Sequence, residues 1–202
     1  SFSFSLILIV LFFVSKKNTT LSLSQYEHIA TVVHNTIMVS QFEELIGPTL
    51  LNGKGEEVPS SEALQGKKYV MLYFSAHWCP PCRKFTPLLA EAYNAHNEYI
   101  TTGDDNNDVG EIEVIFISLD SVQSEYDQYR NTMPWLSVPF SNLHKLRIKD
   151  ELSGKYGVKG IPDLIVLDGN SGEVVSRNGR GEYASYFKGD YKTGSSSGCI
   201  VS

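Results

Sequence analysis

Two cysteines separated by two prolines constrain this chain more than any other feature. They lie in Trp78-Cys79-Pro80-Pro81-Cys82-Arg83. An unbroken apolar run, Tyr69–Ser75, precedes them; behind them Phe85, Leu88, Leu89, Ala92 and Tyr93 recur at helical spacing. The run YVMLYFS suits a strand buried on both faces, and the junction puts Cys79 at the N-terminus of a helix. Unpaired N–H groups and the helix dipole favour a thiolate there, which makes Cys79 a nucleophile near neutral pH. Cys82 follows three positions later, one helical turn on and on the same face, in reach of a disulfide made by Cys79. Pro80 and Pro81 fall in the first turn, where a missing N–H costs little, and they stiffen the loop.

The rival use of such a pair is half of a zinc site. Tetrahedral zinc needs two further ligands, but Cys199 lies at the far end of the chain and the five histidines are scattered. The pair therefore reads as a redox dithiol, with no metal and no bound cofactor expected beyond the Cys79–Cys82 disulfide itself. Three cysteines in 202 residues also exclude a disulfide-rich scaffold. At 42% apolar and 20% charged residues the chain can bury a core without such staples. A net charge of −6 argues against a general nucleic-acid binder, which needs a basic face.

The rest of the middle reads as α/β. Residues 42–66 suggest a short helix, a strand over Thr49–Leu51 and turns. Glu113–Leu119 is a second buried strand and Ser124–Asn131 a short helix with Tyr126, Tyr129 and Arg130 on one side. Leu146–Tyr156 is helical, stopped by Gly157; Leu164–Leu167 and Glu173–Arg177 form a hairpin around Asp168-Gly169-Asn170-Ser171-Gly172. The expected architecture is a central mixed β-sheet with helices on both faces. The acidic stretch 104–108 reads as a solvated loop, lacking the Glu and Gly positions of a calcium loop. Tyr69, Tyr73, Phe74, Phe85, Phe116 and Phe140 read as core.

A second motif, Gly160-Ile161-Pro162-Asp163, stands just before the strand LIVL. A proline there marks either an ordinary strand start or a cis bond beside the dithiol. In the second case the neighbouring backbone can pair with an extended substrate.

WCPPC after a strand, with GIP far downstream, resembles the thioredoxin superfamily. FSAHWCPPCRKFTPLLAEAY at 74–93, EVIFISLD at 113–120, MPWLSVPF at 133–140 and KYGVKGIPDLIVLDGNSGEVVSRNGR at 155–180 are similar to its tryparedoxin and nucleoredoxin branch. The resemblance spans roughly residues 42–188. It implies a thioredoxin fold, thiol–disulfide exchange, Cys79 as attacking and Cys82 as resolving thiol, and Pro162 in cis. It also implies a substrate face formed by Trp78, Pro80, Pro81, Trp135, Ile161 and Pro162. Disulfide-bearing proteins are the implied substrates, an upstream dithiol or reductase the electron donor, and peroxide-reducing enzymes an acceptor.

The sequence departs from the superfamily at Tyr73 and Asp163, and His77 takes a position that varies within it. Thioredoxins carry a buried acid six residues ahead of the first cysteine; here, as in the tryparedoxin branch, that position is Tyr73, leaving Glu91 or a water as proton relay. Asp163 stands where relatives carry Thr; it either raises the Cys79 pKa or points to solvent. His77 is either a cation that favours the thiolate or an exposed residue without a role.

The ends read separately from the domain, taken as residues 38–190. Residues 1–37 contain the apolar run Leu6–Val14, too short to span a bilayer. They are either a truncated signal or anchor, or upstream sequence foreign to a protein starting near Met38. Residues 191–202 form a Gly/Ser-rich tail closing on Cys199-Ile200-Val201-Ser202, a C-a-a-X pattern that predicts farnesylation of Cys199 and transient membrane contact of a cytoplasmic protein.

Three functions remain open. A disulfide reductase fits a potential near about −270 mV, and a secretory oxidase or isomerase one near about −180 mV. The third is a redox-controlled binding protein of the nucleoredoxin type.

Overall fold

A computed structural model of the chain describes residues 22, 24, 42–102, 112–145 and 147–189. The expectations for residues 1–37, for the 104–108 loop and for Cys199 in its tail lie outside the described residues, apart from positions 22 and 24. Residues 42–46 are helical, and Phe42 and Ile46 anchor that turn in the core. There follow β1 (Thr49–Leu51), β2 (Glu57–Pro59), α1 (Ser60–Leu64), β3 (Tyr69–Ser75), α2 (Pro80–Thr102) and β4 (Ile112–Ser118). The second half is α3 (Gln123–Arg130), β5 (Leu136–Ser137), α4 (Phe140–Lys145), α5 (Ile148–Tyr156), β6 (Asp163–Asp168), β7 (Val174–Ser176) and α6 (Gly179–Phe187).

The seven strands form one mixed sheet in the order β2-β1-β5-β4-β3-β6-β7. Every residue of β3 and β4 is buried, as two continuous apolar runs require when helices cover both faces of a sheet. These two strands run parallel in register from Tyr69↔Ile112 to Ser75↔Ser118, while β6 lies antiparallel on the other side of β3. The carboxyl end of β3 therefore lies between the end of β4 and the start of β6. Both sequence motifs, 78–83 and 160–163, meet at that end of the sheet.

The C-terminal helix α6 is the element that periodicity does not reveal. Its sequence, GRGEYASYF, is weakly amphipathic and glycine-bearing. Close packing on β6 explains the first glycine: a Cβ at Gly179 would stand 2.5 Å from the Leu164 carbonyl oxygen. Helix α6 then buries Tyr186 and Phe187, with Tyr186 edge-on to Tyr69 at 5.0 Å. The short elements β2, α1, β5 and α4 are likewise set by packing rather than by any long period. Tyr69, Tyr73, Phe74 and Phe116 lie in the core; Phe85 and Phe140 are only partly buried against it.

Candidate active site

The site forms where β3 gives way to α2. Cys79 is 4% exposed and Cys82 fully buried, and the two are joined as a disulfide with Cα atoms 5.2 Å apart. Pro80 and Pro81 are exposed and carry no N–H, so Cys82 supplies the first amide of the helix in reach of the nucleophile position. Its N–H points to Cys79 Sγ at 3.3 Å. That donor, with the helix dipole, stabilises negative charge on Cys79 in the reduced protein. Trp78, 55% exposed, stands beside it as the most exposed large apolar side chain among the described residues.

The Gly160–Asp163 motif reaches the same place from β6. The Ile161–Pro162 peptide bond is cis, and the Ile161 carbonyl oxygen lies 3.7 Å from Cys79 Sγ. Pro162 is buried and Ile161 half-buried. Arg180, from α6, donates to the Pro162 carbonyl at 3.1 Å. Asp163 follows Pro162 at the start of β6. It is half-buried, its carboxylate accepts the Leu164 N–H at 2.9 Å, and burial pushes its pKa up against that hydrogen bond, Arg180 and Arg177.

Beneath the dithiol lies a cluster of hydroxyls. Tyr73 Oη is 2.8 Å from Thr86 Oγ1 and 3.0 Å from Ser75 Oγ, and Tyr129 Oη reaches the same two oxygens at 2.5 and 2.9 Å. Thr86 also donates to the Cys82 carbonyl at 3.0 Å, so the cluster is tied to the second cysteine. Burial, reinforced by Tyr129, pushes the Tyr73 phenol far above its ordinary value. The cluster is therefore neutral where thioredoxins place a carboxylic acid. Spacing does not reveal it, because Thr86 and Tyr129 come from two different helices. Glu91, one of the two relay candidates, is exposed on α2.

Asp120 is a second residue that sequence reading passes over. It is fully buried, accepts the His77 N–H at 2.9 Å and the Ser118 hydroxyl at 2.7 Å, and so ties the turn before Cys79 to the end of β4. His77 itself is half-buried, its ring edge-on to Tyr129 at 6.1 Å.

Trp135 corrects the sequence expectation. It does not border a substrate face: it is 1% exposed, with its ring edge-on to Tyr73 at 5.9 Å and to Tyr93 at 5.8 Å. The reason is its place in the chain. Leu136 next to it pairs with Ile115 in the sheet, which draws the indole under α2.

Among the described residues no group of three or more His, Cys, Asp or Glu is placed to hold a metal ion. Among them, too, no helix is long and apolar enough to cross a membrane.

Comparison with known proteins agrees with this geometry. A thioredoxin-like family model matches residues 66–174. Mouse (Mus musculus) nucleoredoxin is 43% identical over 141 residues, covering 70% of this chain and 29% of the nucleoredoxin. The chain thus spans less than a third of the nucleoredoxins it matches. Tryparedoxin of Trypanosoma brucei brucei is 40% identical over 136 residues, covering 67% of this chain and 84% of its own. A solved tryparedoxin II in complex with glutathionylspermidine superposes with a TM-score of 0.57 at 32% identity, over 68% of this chain and 85% of that one. The family-model match and these likenesses place the chain, with its Cys-x-x-Cys disulfide at the end of a central strand, in the thioredoxin-like family of oxidoreductases, among the tryparedoxin- and nucleoredoxin-like members.

Proposed function

We propose that the protein reduces protein disulfides, with Cys79 as nucleophile and Cys82 as resolving thiol. The observation that carries this reading is the asymmetry of the pair: the N–H of fully buried Cys82 is aimed at the more accessible Cys79 sulfur. The Cys79 thiolate attacks one sulfur of a substrate disulfide, forming a mixed disulfide and releasing the other sulfur as a thiolate. Cys82, as thiolate, then attacks Cys79 Sγ; the Cys79–Cys82 disulfide forms and the second substrate sulfur leaves. The substrate gains two electrons and two protons, and the protein loses them.

Trp78 and the backbone at Ile161–Pro162 form the docking face. An extended substrate strand pairs with the Ile161 peptide while Trp78 covers the apolar side of the disulfide. Electrons return from an upstream reductant, either a protein dithiol or two molecules of a small monothiol of the kind bound by the tryparedoxin II relative. Peroxide-reducing enzymes are a suitable acceptor by likeness to tryparedoxins.

Turnover of insulin disulfides with dithiothreitol as reductant tests this. Cys79→Ser abolishes the catalysed turnover, and reduced Cys82→Ser, mixed with insulin after the dithiothreitol has been removed, stops after one step and accumulates a mixed disulfide on Cys79. Undiminished turnover in Cys79→Ser overturns the reading. A Cys79→Ser/Cys82→Ser double variant that keeps full biological activity favours the redox-controlled binding function instead.

A further inference from the structure

The main chain of His77, two residues before the nucleophile, is held on both of its polar atoms by opposite charges. Its N–H donates to the Asp120 carboxylate at 2.9 Å, and its carbonyl accepts from the Arg83 guanidinium. The carboxylate is fully buried and its oxygens meet only neutral donors, the His77 amide and the Ser118 hydroxyl. Among the described residues no cation pairs with it directly. Burying a carboxylate without a cation is costly unless the site gains from it. Arg83, by contrast, is exposed, sits one turn into α2 and has its own amide on the Cys79 carbonyl at 3.1 Å.

We propose that Asp120 and Arg83 are paired positioning residues, which clamp the His77 backbone and so fix Trp78 and Cys79 between the end of β4 and the start of α2. This rests on the reading of Cys79 as the attacking thiol. The clamp holds His77 by its two backbone polar atoms, while its ring packs edge-on to Tyr129.

The two charges also act on Cys79 in opposite senses. An anion near the sulfur disfavours the thiolate and a cation favours it. Held on either side of His77, the two charges pull on the nearby thiol in opposite directions. The other charged groups around the motif are engaged elsewhere: Arg180 on the Pro162 carbonyl, and Asp163 on the Leu164 amide beside Arg177 and Arg180. The hydroxyls of Tyr73 and Tyr129 are held in the neutral cluster, and the His77 ring packs on Tyr129.

The test is the pH dependence of iodoacetamide alkylation of the reduced protein, read at Cys79 by tandem mass spectrometry. Arg83→Gln raises the midpoint by about half a pH unit and Asp120→Asn lowers it by about as much, with the double variant between them. Arg83→Lys restores the wild-type midpoint. Midpoints that move the same way in both single variants would show that the two residues do not act on Cys79 through opposed charges from the turn they hold, and would overturn the proposal, as would an unmoved midpoint in Arg83→Gln. Should Asp120→Asn fail to fold, Arg83→Gln and Arg83→Lys decide alone, because Arg83 is exposed. Alkylation needs no substrate: opposed shifts in a protein that does not reduce insulin disulfides would retire the reductase reading and keep the clamp.

Discussion

Tyr73 and Thr86 meet through their hydroxyl oxygens at 2.8 Å, and the Thr86 hydroxyl in turn reaches the Cys82 carbonyl at 3.0 Å. A buried side chain of the central strand is thereby joined to the backbone of the second cysteine without any charge. Tyr73→Phe removes the oxygen shared by Ser75 and Thr86 and is expected to cost about 1–2 kcal/mol in urea unfolding. Its alkylation profile at Cys79 should match wild type, because the Tyr73 phenol does not ionise near neutral pH. A shifted profile would show that the cluster takes part in the proton transfer.

The buried phenols also set the alkaline limit. Burial raises Tyr73 and takes Tyr126 from 10.0 up to about 12. A folded value above the unfolded one means the stability is whole below the unfolded value and lost as pH rises through the folded one. Melting temperature should therefore fall from about pH 10 upward, more steeply in wild type than in Tyr126→Phe compared with its own value at pH 8. Equal slopes would count against this.

Glu113 has the same sign at acid pH. Burial raises it above 4.5, opposed by Lys67, the Tyr93 hydroxyl and the amides of Val114 and Leu136. Stability from this group is full below about 4.5 and declines as pH rises through the folded value. The difference between Glu113→Gln and wild type should accordingly drift in favour of the variant from pH 4 to pH 8, in urea midpoints. A constant difference would mean that the carboxyl titrates alike in both states.

The two tryptophans should separate binding from stability. Trp78→Ala removes an exposed side chain and is expected to leave the unfolding midpoint within about 0.5 kcal/mol while raising KM for a protein disulfide. Trp135→Ala empties a core site and should cost about 3–5 kcal/mol. Trp135→Phe should keep turnover. A rise in KM without loss of stability in Trp135→Phe would return that residue to the substrate face.

Two glycines make a contrasting pair. A Cβ at Gly169 would lie 1.7 Å from the Lys67 carbonyl oxygen, and the Gly169 amide donates to Lys68 at 2.8 Å. Gly169→Ala should destabilise by about 2–3 kcal/mol or more. Gly154 lies inside α5 with nothing within 4 Å of the same added atom, so Gly154→Ala should stabilise by about 0.5–1 kcal/mol. Thermal denaturation of both variants checks the opposite signs.

The dithiol was legible in the sequence because its chemistry is local. Trp78 to Cys82 is one contiguous turn, β3 and β4 are unbroken apolar runs, and the helix after them shows its period. Burial on both faces needs only such runs, and a nucleophile at a helix terminus needs only the junction. The meeting of Ile161 with Cys79 depended on resemblance, since 82 positions separate them along the chain. Tertiary structure alone decided the rest. It took Trp135 inside, because Leu136 entered the sheet beside Ile115, and it built a neutral hydroxyl cluster from β3, α2 and α3. It also set Asp120 and Arg83 on either side of His77. Contacts between separate elements leave no period or spacing in a single chain; they arise only when packing brings those elements together.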